Sequence, residues 1–133
     1  MKLARILVIE DTPANLELVT DLLEVVGHTV LSAPAAEPGL ELARRELPDL
    51  ILMDVSLPGM DGLAATRALK NDPATARIPV VALTAHAMRG DEQQARAAGC
   101  AGFLTKPIAT RTFLGSVTVF LEARNTGPDP TRA

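Results

Sequence analysis

Ile6-Leu7-Val8-Ile9-Glu10-Asp11 is the stretch that decides the fold. Four aliphatic residues, three of them β-branched, run straight into two acids. Such a short, uninterrupted apolar run reads as a strand buried on both faces of a parallel sheet. Leu50-Ile51-Leu52-Met53 repeats the pattern and ends at Asp54. Parallel strands deliver their C-terminal ends to one edge, where open α/β sheets keep their ligand crevice. Glu10, Asp11 and Asp54 should therefore meet there. Three crowded carboxylates repel, so a compensating cation is needed. A hard divalent ion such as Mg²⁺, which takes one or two carboxylates and keeps some waters, would serve. So would Lys106, which follows another buried-strand candidate at 101–104. The combination suggests chemistry on a phosphoryl group.

Working outward, strand and helix alternate five times. After the strand at 5–9, Thr12 is placed to cap a helix with Pro13 at its first position, where a missing N–H costs nothing. Leu16, Val19, Leu23 and Val26 recur at helical spacing, and Gly27 closes the helix. A strand at 29–33 leads to a helix at 36–46 that should bury Leu40, Leu42 or Ala43, and Leu47, with Pro38 tolerated in the first turn. Pro48-Asp49 breaks it before the strand at 50–53. The helix at 62–70 gives way to Asn71-Asp72-Pro73, and the strand at 80–83 is entered through Pro79. A helix at 89–98 ends at Gly99, the strand at 101–104 follows, and the last helix spans 110–124. Strict alternation with right-handed crossovers predicts one α/β domain over 1–124, a five-stranded parallel sheet with helices on both faces. Residues 125–133 form a polar tail expected to fray. Met1 abutting the first strand, with so short a tail, favours a complete chain.

Composition narrows the function classes. A chain of 133 residues supports one good core. Its hydrophobic fraction of 47% with no Trp or Tyr makes that core aliphatic. A net charge of −3 gives no electrostatic footprint for nucleic acid. A single cysteine, Cys100, excludes an intramolecular disulfide and suits a reducing, cytoplasmic setting; it reads as a small apolar filler. No apolar run approaches the ~20 residues of a membrane helix, and the start of the chain lacks the h-region of a signal peptide. His28, between helix and strand, reads as a surface residue. His86 borders the acidic edge. Asp61, Asp91 and Glu92 read as turn and helix N-terminal acids, favoured by the helix dipole.

Five separated signals occur in a fixed order: Ile-Leu-Val-Ile-Glu10-Asp11, Leu-Met-Asp54, Pro58-Gly-Met-Asp61-Gly62, Leu-Thr84-Ala85 and Phe103-Leu-Thr-Lys106-Pro107. Together they resemble the receiver domains of two-component response regulators, over residues 2–124. The Glu-Asp-x-x-x-Asn15 opening and Ala85-His-Ala-Met88 are most similar to small stand-alone regulators and to receivers of hybrid histidine kinases. The resemblance implies a doubly wound, flavodoxin-like sheet of order 2-1-3-4-5.

It also implies roles. Asp54 would take a phosphoryl group from a histidine kinase or a histidine phosphotransfer protein; a carboxylate is already ionised at neutral pH. Mg²⁺ would be held by Asp11 directly, Glu10 through a water, Asp54 by one oxygen and Ser56 by its backbone carbonyl. Lys106, the Thr84 hydroxyl and the Ala85 N–H would cradle the phosphoryl oxygens. Pro107 would follow a cis peptide that aims Lys106 inward. Thr84 and Phe103 would form the switch: Thr84 moves to the phosphoryl group, and Phe103 turns from solvent into the space behind it. Burying a phenyl ring is worth about 1.5–3 kcal/mol, whereas moving a population from nearly all inactive to nearly all active takes about 5.5 kcal/mol. The phosphoryl contacts must supply the rest. Output would pass through the face of the fourth helix, fifth strand and fifth helix, to a protein partner, with the chain a monomer or a phosphorylation-dependent dimer. Beyond its own phosphorylation and dephosphorylation it would not be an enzyme. Two other readings use the same acids: a Mg²⁺-dependent phosphohydrolase, which should carry an acid where Ser56 stands, and a module that never takes phosphate, which should have lost part of the set.

Overall fold

The computed structural model describes residues 3–57, 59–85 and 89–126. Residues 1–2, Pro58, residues 86–88 and residues 127–133 lie outside them, and with these the readings of His86 and of most of the tail. Ten elements alternate: β1 (Arg5–Ile9), α1 (Pro13–Val25), β2 (Thr29–Ala33), α2 (Ala36–Glu46), β3 (Leu50–Asp54), α3 (Gly62–Asn71), β4 (Val80–Thr84), α4 (Arg89–Ala98), β5 (Gly102–Thr105) and α5 (Thr110–Thr126). The five strands form one sheet in the order β2-β1-β3-β4-β5. Every adjacent pair is parallel. The order reverses between β1 and β3, and this is where a doubly wound sheet opens its crevice. No helix among the described residues is long and apolar enough to cross a membrane.

The unbroken apolar runs follow from burial on both faces. Successive strand residues point to opposite sides. Leu7, Ile9, Ile51, Met53, Val80 and Ala82 face a core closed by α2, α3 and α4. Ile6, Val8, Leu50, Leu52, Val81 and Leu83 face a second core closed by α1 and α5, through Val19, Leu23, Phe113, Val117 and Leu121. A polar residue at any of these positions would be buried whichever way it pointed. The strands consequently carry no polar residue before their C-terminal ends in β1, β3 and β4 other than the exposed Arg5.

Several local expectations are corrected. Thr12 stands at the N-cap of α1 but its side chain makes no capping bond; its N–H instead donates to Glu10 Oε2 at 3.1 Å. Leu47 is not buried: it is the C-cap of α2 in the left-handed region, φ 47°, and 53% exposed. The chain turns there to enter β3, so the helical face ends one residue earlier. β5 begins one residue later than expected, and α5 runs two residues further, to Thr126.

His28 is the largest correction, for it is buried. Ala4 lies just before β1, and its N–H donates to His28 Nδ1 at 3.0 Å, while its carbonyl accepts from Thr29 N. The imidazole thus satisfies a buried backbone donor that would otherwise be orphaned. Burial lowers its pKa below the ordinary histidine value, and the N–H donated to Nδ1 is a bond that only the neutral form of that nitrogen can accept. The unfolded chain therefore takes up a proton at about pH 6.5 that the folded chain refuses, and stability should fall as pH drops through that value. His28→Asn supplies a non-titrating acceptor in the place of Nδ1. Urea midpoints at pH 7.5 and 5.5 should differ less in this variant than in the parent; equal differences would contradict the assignment.

Candidate functional site

Four strands end on acceptors or donors at one edge. β1 delivers Glu10, buried, and Asp11, exposed; β3 delivers Asp54, buried; β4 delivers Thr84, buried, then Ala85, exposed. β5 leads to Lys106, whose N–H donates to the Thr84 carbonyl at 2.7 Å. The Lys106–Pro107 peptide is cis.

Lys106 Nζ sits 2.9 Å from Glu10 Oε1 and 3.1 Å from Asp54 Oδ1. The same Asp54 oxygen accepts from Ser56 N at 2.9 Å. Glu10, Asp11 and Asp54 each offer an oxygen within 4.8 Å of the others. Of the expected metal ligands, these three acids are thus brought together. Ser56 adjoins them through its N–H.

Charge is unevenly shared among the groups. Burial, then the neighbouring Asp54, raises the pKa of Glu10 against the lowering effects of Lys106 and the Thr12 N–H. Burial also pushes Asp54 upward, but its contacts with Glu10, the Ser56 N–H, Lys106 and Asp11 outweigh it and hold its carboxyl low. Burial opposes the Lys106 ammonium, yet Glu10 and Asp54 more than compensate and raise its pKa. The result is an ionised Asp54 beside a firmly charged lysine.

One atom shows what the cluster lacks. Glu10 Oε1 is buried and, apart from the Lys106 ion pair at 2.9 Å, meets no hydrogen-bond partner. A buried carboxylate oxygen left short of a donor, in an all-oxygen donor set at the end of a buried strand, fits a hard divalent cation.

Thr84 also lines a cleft of about 190 Å³ with Val55, Asp61, Leu63, Ala82, Gln94, Ala95 and Phe103. Phe103 is already half-buried at its wall. A cavity of about 150 Å³ holds a benzene ring, so a phenyl group has room here. The sequence alone missed the Thr12 N–H that holds Glu10. Its signal was faint: a proline after Thr12 fixes the turn, yet nothing local shows which way the N–H points.

Residues 6–118 match the response regulator receiver domain family. The polar-differentiation response regulator DivK of Brucella ovis is 40% identical over 116 residues, 87% of this chain and 94% of that protein. Among solved structures, the chemotaxis protein CheY4 of Vibrio cholerae superposes with a TM-score of 0.84 at 25% identity, over 89% of this chain and 98% of that one. The receiver domain of the sensor histidine kinase PA1611 of Pseudomonas aeruginosa, solved with a magnesium ion in its active-site cleft, gives 0.83 at 30% identity, over 91% and 99%. Receiver domains bind Mg²⁺ at an acidic pocket, and their partners are kinases or phosphotransfer proteins. Motif order, sheet order and these likenesses agree that the chain belongs to the response regulator receiver domains, the phosphoacceptor signalling switches of two-component systems.

Proposed function

We propose that Asp54 is the phosphoacceptor of this chain. The observation that carries the reading is a single oxygen: buried Asp54 Oδ1 lies between the Ser56 N–H and the Lys106 ammonium, beside two further acids. An Asp54 oxygen attacks the phosphorus of a partner's phosphohistidine. An O–P bond forms as the P–N bond breaks, and the imidazole leaves neutral, the proton on its other ring nitrogen staying in place. Lys106 stays charged throughout and meets the transferred oxygens, and the Thr84 hydroxyl and Ala85 N–H donate to the others. Such preorganised donors act at the transition state.

Glu10, Asp11, Asp54 and the Ser56 carbonyl would hold Mg²⁺. When bound, that ion neutralises charge on the transferring group. Phosphorylation draws Thr84 toward the new oxygens, and Phe103 follows into the cleft beside it. This reshapes α4, β5 and α5, the face offered to the downstream partner or to a second copy. The chain acts in the cytoplasm, and its chemistry is confined to its own phosphorylation and dephosphorylation.

Acetyl phosphate with Mg²⁺ tests this. The protein should gain one acid-stable, base-labile phosphoryl group per chain. Repeated release of phosphate with no labelled protein would favour a hydrolase and contradict the reading.

A further inference from the structure

Gly62 begins α3 where that helix comes down on the end of β3, and its backbone offers no reason for a glycine. Among the described residues, the glycines with positive φ are Gly27, Gly59 and Gly99, not Gly62. Only proline is less favourable within a helix. The reason is contact. A Cβ at Gly62 would press on the Asp54 carbonyl oxygen and lie 2.7 Å from Val55 Cα and 2.8 Å from the Asp54 carbonyl carbon. All three are main-chain atoms, so no side chain can rotate out of the way. The other crowded glycines differ: Gly39 faces the Ile9 side chain, Gly99 the Lys70 side chain and Gly102 the Phe120 ring.

The first turn of α3 is itself held firmly. Asp61 Oδ1 accepts from Ala64 N at 2.8 Å. The Thr66 hydroxyl, fully buried, donates to the Gly62 carbonyl at 2.8 Å. Val55, on the opposite side of the contact, is fixed by its N–H to the Leu83 carbonyl. The 54–55 peptide is therefore trapped between β4 and the first turn of α3.

We infer that Gly62 and Thr66 are positioning residues for the phosphoacceptor: the helix start clamps the peptide after Asp54 and so sets the place of its carboxylate against Lys106 and the Ser56 N–H. This rests on Asp54 being the acceptor. Gly62→Ala must push α3 away or turn the 54–55 peptide, and either moves the Asp54 side chain. A misplacement on the order of 1 Å can cost about 10²-fold in rate.

The test is the initial rate of labelling by acetyl phosphate with Mg²⁺, read by intact mass at a temperature where circular dichroism shows each variant folded. Magnesium affinity is measured alongside by calorimetry. Gly62→Ala should label about 10²-fold more slowly and bind Mg²⁺ more weakly. Thr66→Val, which adds no bulk, should slow labelling by about fivefold, the worth of one lost hydrogen bond. Gly102→Ala should melt at lower temperature yet label at the parent rate. Parent-like labelling of Gly62→Ala overturns the inference, as does equal slowing in Gly102→Ala. If Gly62→Ala does not fold, parent-like labelling of Thr66→Val overturns it. Failure of the parent itself to label at Asp54 refutes the acceptor reading instead.

Discussion

Replacing Lys106 with methionine should lower stability at neutral pH by about 3 kcal/mol, the low end of what breaking a buried pair costs. For a chain of this size that is a fall of about 10 °C in melting temperature. Lys106 Nζ stands within 3.1 Å of both Glu10 and Asp54, and its side chain is 15% exposed while theirs are 0% and 2%. Methionine keeps the length and removes the charge. Two buried acids then face each other with exposed Asp11 nearby. The low end applies because the cluster opens to solvent on the Asp11 side, where water moderates the repulsion. Added Mg²⁺ should recover much of the loss, since it restores positive charge among the same oxygens. Thermal melts with and without Mg²⁺ check both parts. Parent-like stability without the ion would mean that the pair does not compensate the acids.

Asp54→Asn should abolish labelling by acetyl phosphate, a loss of about 10⁴-fold or more, as in enzymes stripped of a nucleophile. The amide keeps the shape of the side chain, and its oxygen can still accept from Ser56 N–H. It is not ionised, however, and does not attack phosphorus. The fold should survive without cost, because one of three crowded acids has been neutralised and Lys106 still pairs with Glu10. Intact mass and circular dichroism on the same sample separate loss of chemistry from loss of fold. Persistent label in the variant would move the acceptor to Glu10 or Asp11, the acids within 4.8 Å.

Most of the architecture was legible because the signals were redundant. β1, β3 and β4 carry apolar runs buried on both faces, and Pro13, Gly27, Pro48, Pro79 and Gly99 mark where elements start or stop. What escaped depended on contacts between distant parts. His28 reads as a turn histidine until the unpaired Ala4 N–H, 24 residues away, comes beside it. Leu47 fits the helical period of α2, but the left-handed turn into β3 takes it out of that face. Gly62 sits in a recognisable motif, yet its reason is an approach to the Asp54 main chain that no local pattern encodes. At the site, strand ends were enough to bring Glu10, Asp11, Asp54, Thr84 and Lys106 to one edge. Which Asp54 oxygen meets Lys106, and that Glu10 Oε1 has only the Lys106 ion pair for company, follow only from side-chain geometry.

The central claim is that a phosphoryl group is carried by one carboxylate, that of Asp54. Borohydride reduces an acyl phosphate to the alcohol, so aspartyl phosphate becomes homoserine. After treatment with acetyl phosphate and Mg²⁺, then borohydride, peptide sequencing by mass spectrometry should find homoserine at position 54. Homoserine at position 11, a reduced glutamate at position 10, or no reduced residue at all would contradict it.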